Sequence, residues 1–137
     1  MIFALDTNIV IRYLRKDNSV LRNFDTAVTR GDDLVIPKVV DYEIQRGFRI
    51  MSAPRKEVAY NVMTRQDGCC NIAEMDVYSW KIAEQVYADL YRKGFSVGEL
   101  DILIAAFCLE KGYTLVTNNT KHFENIDGLN IEDWAAE

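Results

Sequence analysis

The first eight residues, MIFALDTN, constrain the fold more than any other stretch of this chain. Met1 to Leu5 is an unbroken apolar run, the pattern of a strand covered on both faces in the middle of a parallel sheet. It stops at Asp6. Thr7 and Asn8 follow, and Ile9, Val10, Tyr13 and Leu14 then recur at helical spacing, so the chain turns from strand to helix at the acid. In an open α/β sheet, ligands bind outside the carboxyl ends of the strands. Two roles stand open at this stage: Asp6 or Thr7 caps the first helix, as such residues do in many strand-to-helix turns, or Asp6 belongs to a binding site.

The rest of the chain repeats the alternation. Val20 to Arg30 reads as a second helix ended by Gly31, with Asp32 and Asp33 in the turn, and Leu34 to Ile36 is a short buried strand. Pro37 suits the first position of a helix whose core side is Val40, Ile44, Phe48 and Met51, with Glu43 at the border of that stripe. Ser52 and Pro54 break the pattern, and Glu57 to Gln66 is a weaker helix stopped by Gly68. Asn71 to Ala73 offers a third strand. Asp76 caps a helix with Trp80, Ala83, Val86, Tyr87 and Leu90 on one apolar face and Gly94 at its end. Ser96 and Glu99 have capping-box spacing before an almost wholly apolar helix through Leu100, Leu103, Ile104, Phe107 and Cys108 to Gly112. Tyr113 to Val116 is the next strand, and it ends at Thr117, Asn118 and Asn119 much as the first ends at Asp6. Short apolar strands alternating with helices predict an α/β fold, a parallel sheet with helices on both faces.

Composition limits the function classes. A chain of 137 residues with 49% apolar and 27% charged residues is expected to form one soluble domain over 1–137. The N-terminal apolar run is too short for a secretory signal and no segment is long enough to span a bilayer, so a cytoplasmic location and no membrane partner are expected. Cys69, Cys70 and Cys108 have no metal-ligand spacing and are expected to be buried or idle thiols. His122, the one histidine, leaves no readable Ser/His/Asp triad and no histidine-based zinc site. The net charge of −5 argues against a nucleic-acid binder when taken alone. Its distribution is more favourable. Arg12, Arg15 and Lys16 cluster on the first helix, and Arg46, Arg49, Arg55, Lys56 and Arg65 meet only Glu57 in their segment. Much of the acidity is carried by Glu124, Asp127, Glu132, Asp133 and Glu137 near the C-terminus.

Three acids stand at or beside buried elements: Asp6, Glu43 and Asp101 in the first turns of the apolar helix. Charged groups are rarely buried unless paired or bound to metal, and no basic residue stands by them in sequence as a partner. If they converge, each pair at about 4 Å repels by roughly 4 kcal/mol at an effective dielectric near 20, so the cluster needs a cation. All-oxygen donors select Mg²⁺ or Mn²⁺ over zinc or copper. The alternative is a rim position for Glu43 and a helix-dipole contact for Asp101.

The segments LDTN, VIPKVVDYEIQRGF and LDILIAAFCLEKGYTLVTNNTKHFENIDGLNIEDW resemble, in this order and from end to end of the chain, the PIN domain, and within it the VapC-like ribonuclease toxins of bacterial toxin–antitoxin pairs. The resemblance implies a PIN-like three-layer α/β/α fold with a short central parallel sheet flanked by helices. It implies catalytic, metal-holding roles for Asp6, Glu43 and Asp101 with Mg²⁺ or Mn²⁺, and hydrolysis of an RNA phosphodiester, often in tRNA or a ribosomal RNA loop. It also implies a homodimer and a cognate antitoxin. Relatives often place a fourth acid after the strand that corresponds to Tyr113 to Val116. Here that turn is Thr117, Asn118, Asn119, with Asn119 as the match, where an amide oxygen can still bind a hard cation or orient water.

Thr7, Asn8, Thr117 and Asn119 are the expected supporting residues, with Thr117 holding Asp6 through its hydroxyl. Glu99 is expected to cap rather than share the metal. Arg12, Arg15, Lys16, Arg46 and Arg49 are the candidates for RNA backbone. Two rivals stand beside this reading: a receiver-type phospho-acceptor domain, which needs an aspartate at the end of the third strand, and a catalytically silent PIN fold that only binds RNA.

Overall fold

The structure, a computed structural model, describes residues 1–136, so Glu137 lies outside the described residues. Strand β1 (Ile2–Leu5) is followed by helices α1 (Thr7–Leu14) and α2 (Asn18–Arg30), then β2 (Asp33–Pro37), α3 (Lys38–Ile50) and α4 (Pro54–Thr64). β3 (Cys70–Ala73), α5 (Val77–Lys93), α6 (Glu99–Lys111), β4 (Thr114–Val116), α7 (Thr120–Phe123) and β5 (Ile131–Glu132) complete the chain. The sheet has the order β3-β2-β1-β4-β5 and every pairing is parallel. Helices cover both faces, giving the three-layer α/β/α architecture expected of a parallel sheet.

The order of the strands locates a site. From β1 the chain steps outward to β2 and β3, then returns across the sheet to β4 on the other side of β1. The direction of winding therefore reverses between β1 and β4, and the crevice at the carboxyl ends of that pair is the topological switch point. Asp6 follows one of these strands and Thr117 the other, with the Asp6 N–H donating to the Val116 carbonyl at 2.9 Å. The same order removes the receiver-type alternative. β3 is an edge strand, separated from β1 by β2, so an acceptor at the end of the third strand would not face Asp6.

Local chemistry explains the boundaries, with some corrections. α2 begins two residues before the expected start and is capped by Asp17, whose carboxylate accepts from the Val20 N–H at 3.1 Å. Pro37 ends β2 rather than opening α3, and Asp33 belongs to the strand. Pro54 begins α4 at a first-turn position, so that helix starts three residues earlier than its weak periodicity suggests. Asp76 caps α5 as expected. The capping box before α6 does not form: Gly98 is the cap residue and makes no side-chain bond. Gly94 and Gly112 end α5 and α6 with φ of 80° and 72°, a left-handed turn that glycine adopts without a steric penalty.

β1, β2 and β4 carry the core, with Phe3, Leu5, Ile36 and Leu115 buried between the helical layers. β5 and α7 lacked a sequence signal, since each is too short for any periodicity. Trp134, after β5, packs edge-on against Phe3 at 5.1 Å and Phe24 at 5.9 Å, which folds the C-terminal segment back onto the start of the sheet. Three expected core residues face outward instead: Met51 is past the end of α3, and Trp80 and Tyr87 are about half exposed on α5.

Candidate active site

Asp6 takes the capping role that the sequence left open, and it is held from a second side as well. Its Oδ1 accepts from the Thr7 N–H at 2.8 Å, which caps α1, and its Oδ2 accepts from the Thr117 hydroxyl at 2.7 Å and the Asn8 amide at 2.9 Å. It is only 3% exposed, and Thr117 is fully buried. Asn8 ties the two strand ends together a second time, because its Oδ1 accepts from the Asn118 N–H at 2.8 Å. Burial pushes the Asp6 carboxyl above its usual range. Hydrogen bonds from Thr117, Thr7 and Asn8 pull it back, and the nearby Asp101 carboxylate pushes it up again, with a net rise.

Glu43 joins this cluster through Thr7, whose hydroxyl donates to Oε1 at 2.8 Å. Its other oxygen lies 3.9 Å from Arg46 Nη2, so the acid is not free of basic neighbours as the sequence implied. Asp101, on the third residue of α6, has His122 Nδ1 at 2.9 Å from its Oδ2. Sequence reasoning dismissed His122 for want of a triad. The missed signal is position: a histidine three residues after Asn119 falls on the short helix α7, beside the end of β4. A second buried acid also passed unnoticed. Asp41 takes hydrogen bonds from the Tyr60 hydroxyl at 2.7 Å and Lys38 at 3.1 Å, which satisfies it as a structural residue away from the site.

Among the described residues, no three carboxylate, histidine or cysteine side chains stand close enough to cage a metal. The expected convergence is therefore looser than a closed site. The donors nonetheless fit a hard divalent cation: Asp6, Glu43 and Asp101 supply only oxygens, and no lysine or arginine neutralises Asp6 or Asp101 among the described residues. An open arrangement is the one that Mg²⁺ favours, since it keeps several waters and binds through one or two carboxylates and substrate phosphates.

The other candidates divide by location. Asn119 is exposed; its N–H donates to Thr117 Oγ1 at 3.0 Å, and its side chain does not cap α7. Glu99 is exposed on the first turn of α6 and has no cap to complete. Arg12 and Arg15 line an open groove of about 540 Å³ with Asn8, Asn118 and Asn119. Arg12 is oriented there by Asn118 Oδ1 at 3.0 Å and Asp17 at 3.1 Å. Lys16 sits in the turn after α1 with φ of 61°, and Arg46 lies over the Tyr42 ring at 5.1 Å. Arg49 is exposed near the end of α3. Away from the site, Cys70 and Cys108 are buried as expected, whereas Cys69 is exposed. A hydrogen bond with Cys70, 3.6 Å away, lowers the Cys69 thiol to about 7. Among the described residues, no helix is long and apolar enough to cross a membrane.

Known proteins resemble this chain over almost its whole length. The PIN domain family matches residues 3–129. The tRNA(fMet)-specific endonuclease VapC of Shigella flexneri is 32% identical over 136 residues, covering 97% of this chain and 98% of that protein. Ribonuclease VapC2 of Rickettsia felis is 28% identical over 134 residues, with 98% of each chain covered. Among solved structures, VapBC2 from Rickettsia felis bound to a DNA fragment from their promoter superposes with a TM-score of 0.88 at 25% identity, covering 98% of this chain and 99% of that one. DNA-bound VapBC from Salmonella typhimurium gives 0.81 at 28% identity, with 98% of each chain covered. The acid at the switch point, the five-stranded parallel sheet and these full-length likenesses agree, and the chain belongs to the PIN-domain family as a VapC-like member.

Proposed function

We propose that this protein is the ribonuclease toxin of a toxin–antitoxin pair, an endoribonuclease that hydrolyses RNA phosphodiester bonds with Mg²⁺ or Mn²⁺. The observation that carries the reading is Asp6, a carboxylate buried at the switch point, held by three donors and with a further carboxylate, not a cation, in its vicinity. Asp6, Glu43 and Asp101 would hold the divalent ion, which would neutralise these acids and supply Lewis-acid activation of the scissile phosphate and of an attacking water. The chain's own residues set the geometry. Thr117, Asn8 and the Thr7 N–H fix Asp6, the Thr7 hydroxyl fixes Glu43, and α6 carries Asp101 to the same opening. Arg12 and Arg15 hold the flanking phosphates along the groove, which positions the strand without reading its sequence.

tRNA is the first substrate to test, since the Shigella flexneri relative is named for tRNA(fMet). The decisive experiment sequences RNA ends made in cells during a short pulse of expression, beside an Asp6→Asn control. It is paired with cleavage of tRNA and ribosomal RNA fragments in vitro with and without EDTA. Discrete new ends that vanish in the control and in EDTA support the reading; identical ends from Asp6→Asn overturn it. A second reading, a silent PIN fold that binds RNA without cutting it, is favoured by one feature, the neutral Thr117 to Asn119 turn. It predicts RNA binding that metal leaves unchanged and no new ends.

The partners are a cognate antitoxin, in line with the VapBC complexes that this chain resembles, and a second copy of itself. We assign the copy to the outer face of α5. There Trp80, Tyr87 and Tyr91 are 52%, 50% and 75% exposed and Phe95 follows them, and exposed apolar side chains gathered in this way mark interaction surfaces. A two-fold axis on that helix pairs like with like. Trp80→Glu is expected to halve the mass read by sedimentation while leaving the fold intact.

A further inference from the structure

Each of the three acids has one oxygen fixed by a donor from another part of the chain. Thr117 holds Asp6 Oδ2, Thr7 holds Glu43 Oε1, and His122 Nδ1 stands 2.9 Å from Asp101 Oδ2. For Asp101 that ring nitrogen is the one side-chain partner within hydrogen-bond distance among the described residues. The histidine is itself well placed to hold still. It lies on α7, a single turn that begins after Asn119, and its own N–H donates to the Asn119 carbonyl at 3.0 Å. The next residue, Phe123, is fully buried and anchors the turn in the core. The His122 side chain is 55% exposed against 24% for Asp101, so the contact lies at the mouth of the site and packs little apolar surface.

We infer that His122 is a positioning residue for Asp101: its Nδ1–H donates to Oδ2 and fixes the carboxylate plane, leaving Oδ1 directed to the cation. The inference rests on the metal-dependent reading above. It does not depend on the charge of the ring, because an imidazole carrying hydrogen on Nδ1 and an imidazolium both donate from that atom. An acid held by one such bond meets the ion already oriented. Without it, the side chain has to be ordered at the moment of binding, and partners of this kind typically contribute 10- to 100-fold to metal affinity.

The test uses the full chain with His122→Ala, His122→Asn and His122→Gln. Mn²⁺ affinity is read by calorimetry, the Mn²⁺ environment by electron spin echo spectroscopy, and folding by thermal melting. An asparagine amide nitrogen stands two bonds beyond Cβ, as Nδ1 does, whereas that of glutamine stands one bond further. The expected result is therefore a roughly tenfold or greater loss of affinity in His122→Ala. Recovery is expected in His122→Asn but not in His122→Gln, with melting temperatures unchanged and no imidazole nitrogen coupled to Mn²⁺ in the parent. Parent-like or tighter binding by His122→Ala overturns the inference, as does failure of asparagine to rescue. Nitrogen coupling in the parent overturns it by making His122 a ligand. A parent that binds no Mn²⁺ overturns the metal-dependent reading and this inference together, whereas a parent that binds Mn²⁺ with variants that depart from the expected pattern overturns the inference alone.

Discussion

β1 and β4 lie side by side and both end in short polar turns, Asp6-Thr7-Asn8 after one and Thr117-Asn118-Asn119 after the other. Both turns lead from a buried strand into a helix, yet they do different work. The first turn holds the buried acid. The second is neutral and serves the first: Thr117 donates to Asp6, the Asn118 N–H donates to Asn8, and Asn118 Oδ1 orients Arg12. The difference shows how a buried carboxylate is kept in place beside another acid. A carboxylate at the second turn would face Asp6 across the switch point, and each such pair costs about 4 kcal/mol at 4 Å without a cation. Hydroxyl and amide groups there give hydrogen bonds and add no repulsion. The neighbouring charges come instead from α3 and α6, which the fold can place at the rim where water and ions reach them.

The largest effects should come from breaking the charged end. Asp6→Asn keeps a capping side chain and is expected to lower RNA cleavage by at least about a hundredfold, beyond the loss typical of a residue that merely supports a ligand. Its effect on stability has the opposite sign. The folded-state pKa of Asp6 is raised above 3.8, so its favourable contribution is complete below that pH and is lost as pH rises through the raised value. Metal-free Asp6→Asn should accordingly melt a few degrees above the parent at pH 7 and coincide with it below about pH 4. Added Mg²⁺ should reverse the order by stabilising only the parent. Melting curves across pH with and without the ion check this; an Asp6→Asn protein less stable than the parent at pH 7 without metal would show that the acid is held for the fold alone.

Next in size is the neutral end. Thr117→Val keeps the shape of a fully buried side chain and removes the hydroxyl that Asp6 accepts from at 2.7 Å. Hydrogen bonds to charged groups contribute about 1.5–3 kcal/mol, so Mn²⁺ affinity should fall by roughly 10- to 100-fold. Binding as tight as the parent's, measured by calorimetry, would mean that Asn8 and the Thr7 N–H suffice and that the second turn is a passive neighbour.

The two ends also differ in how far they could be read from the sequence. The end of β1 was legible because a long apolar run stops at a single acid, and short-range chemistry at a strand end has few solutions. Thr117 as the holder of Asp6 was legible from the resemblance and from its position after a second strand. Strands β1 to β4 and helices α1 to α6 followed from periodicity and end signals. His122 was not legible, because its meaning comes from a contact across 21 residues with Asp101, and its helix is one turn long. Trp80 and Tyr87 misled for the reverse reason: helical spacing reports that a face is apolar, not whether this chain or another covers it. Asp41, buried against Tyr60, shows that an acid beside a core stripe is not thereby a site residue.

A smaller effect separates the two groups of basic residues. Arg12 is tied to the second turn through Asn118 and shares the groove with Arg15, whereas Arg46 and Arg49 stand on α3, the former beside Glu43 and Tyr42. Replacing Arg12 and Arg15 by glutamine should weaken RNA binding and flatten the plot of log affinity against log salt by about 1.4, since each lost contact to single-stranded backbone removes roughly 0.7. The same change at Arg46 and Arg49 should flatten it less, because neither of them lines the groove. Filter binding at several salt concentrations decides between the faces, and equal slopes for both pairs would place the strand across α3 as much as along the groove.

The smallest effect belongs to Asn119, an exposed amide with no cap to make. Asn119→Asp adds a charge at the neutral end. If that end faces the ion, the added carboxylate should tighten Mn²⁺ by a few-fold, because surface charges near an ion act through a high effective dielectric. It should also make the metal-free protein slightly less stable at neutral pH through repulsion from Asp6 and Asp101. Asn119→Ala should weaken Mn²⁺ less than Asp101→Asn does, since it removes a neutral oxygen and no charge. Calorimetric titration of the parent with these variants tests the difference between the two ends directly. A gain in affinity together with a loss of metal-free stability means the second turn is neutral because charge there is tolerable only with the ion bound. A gain without that loss means the acids of α3 and α6 already relieve the first turn by standing at the rim. No change in either quantity means Asn119 points away from the site, and the supporting work of β4 is then confined to Thr117 and Asn118.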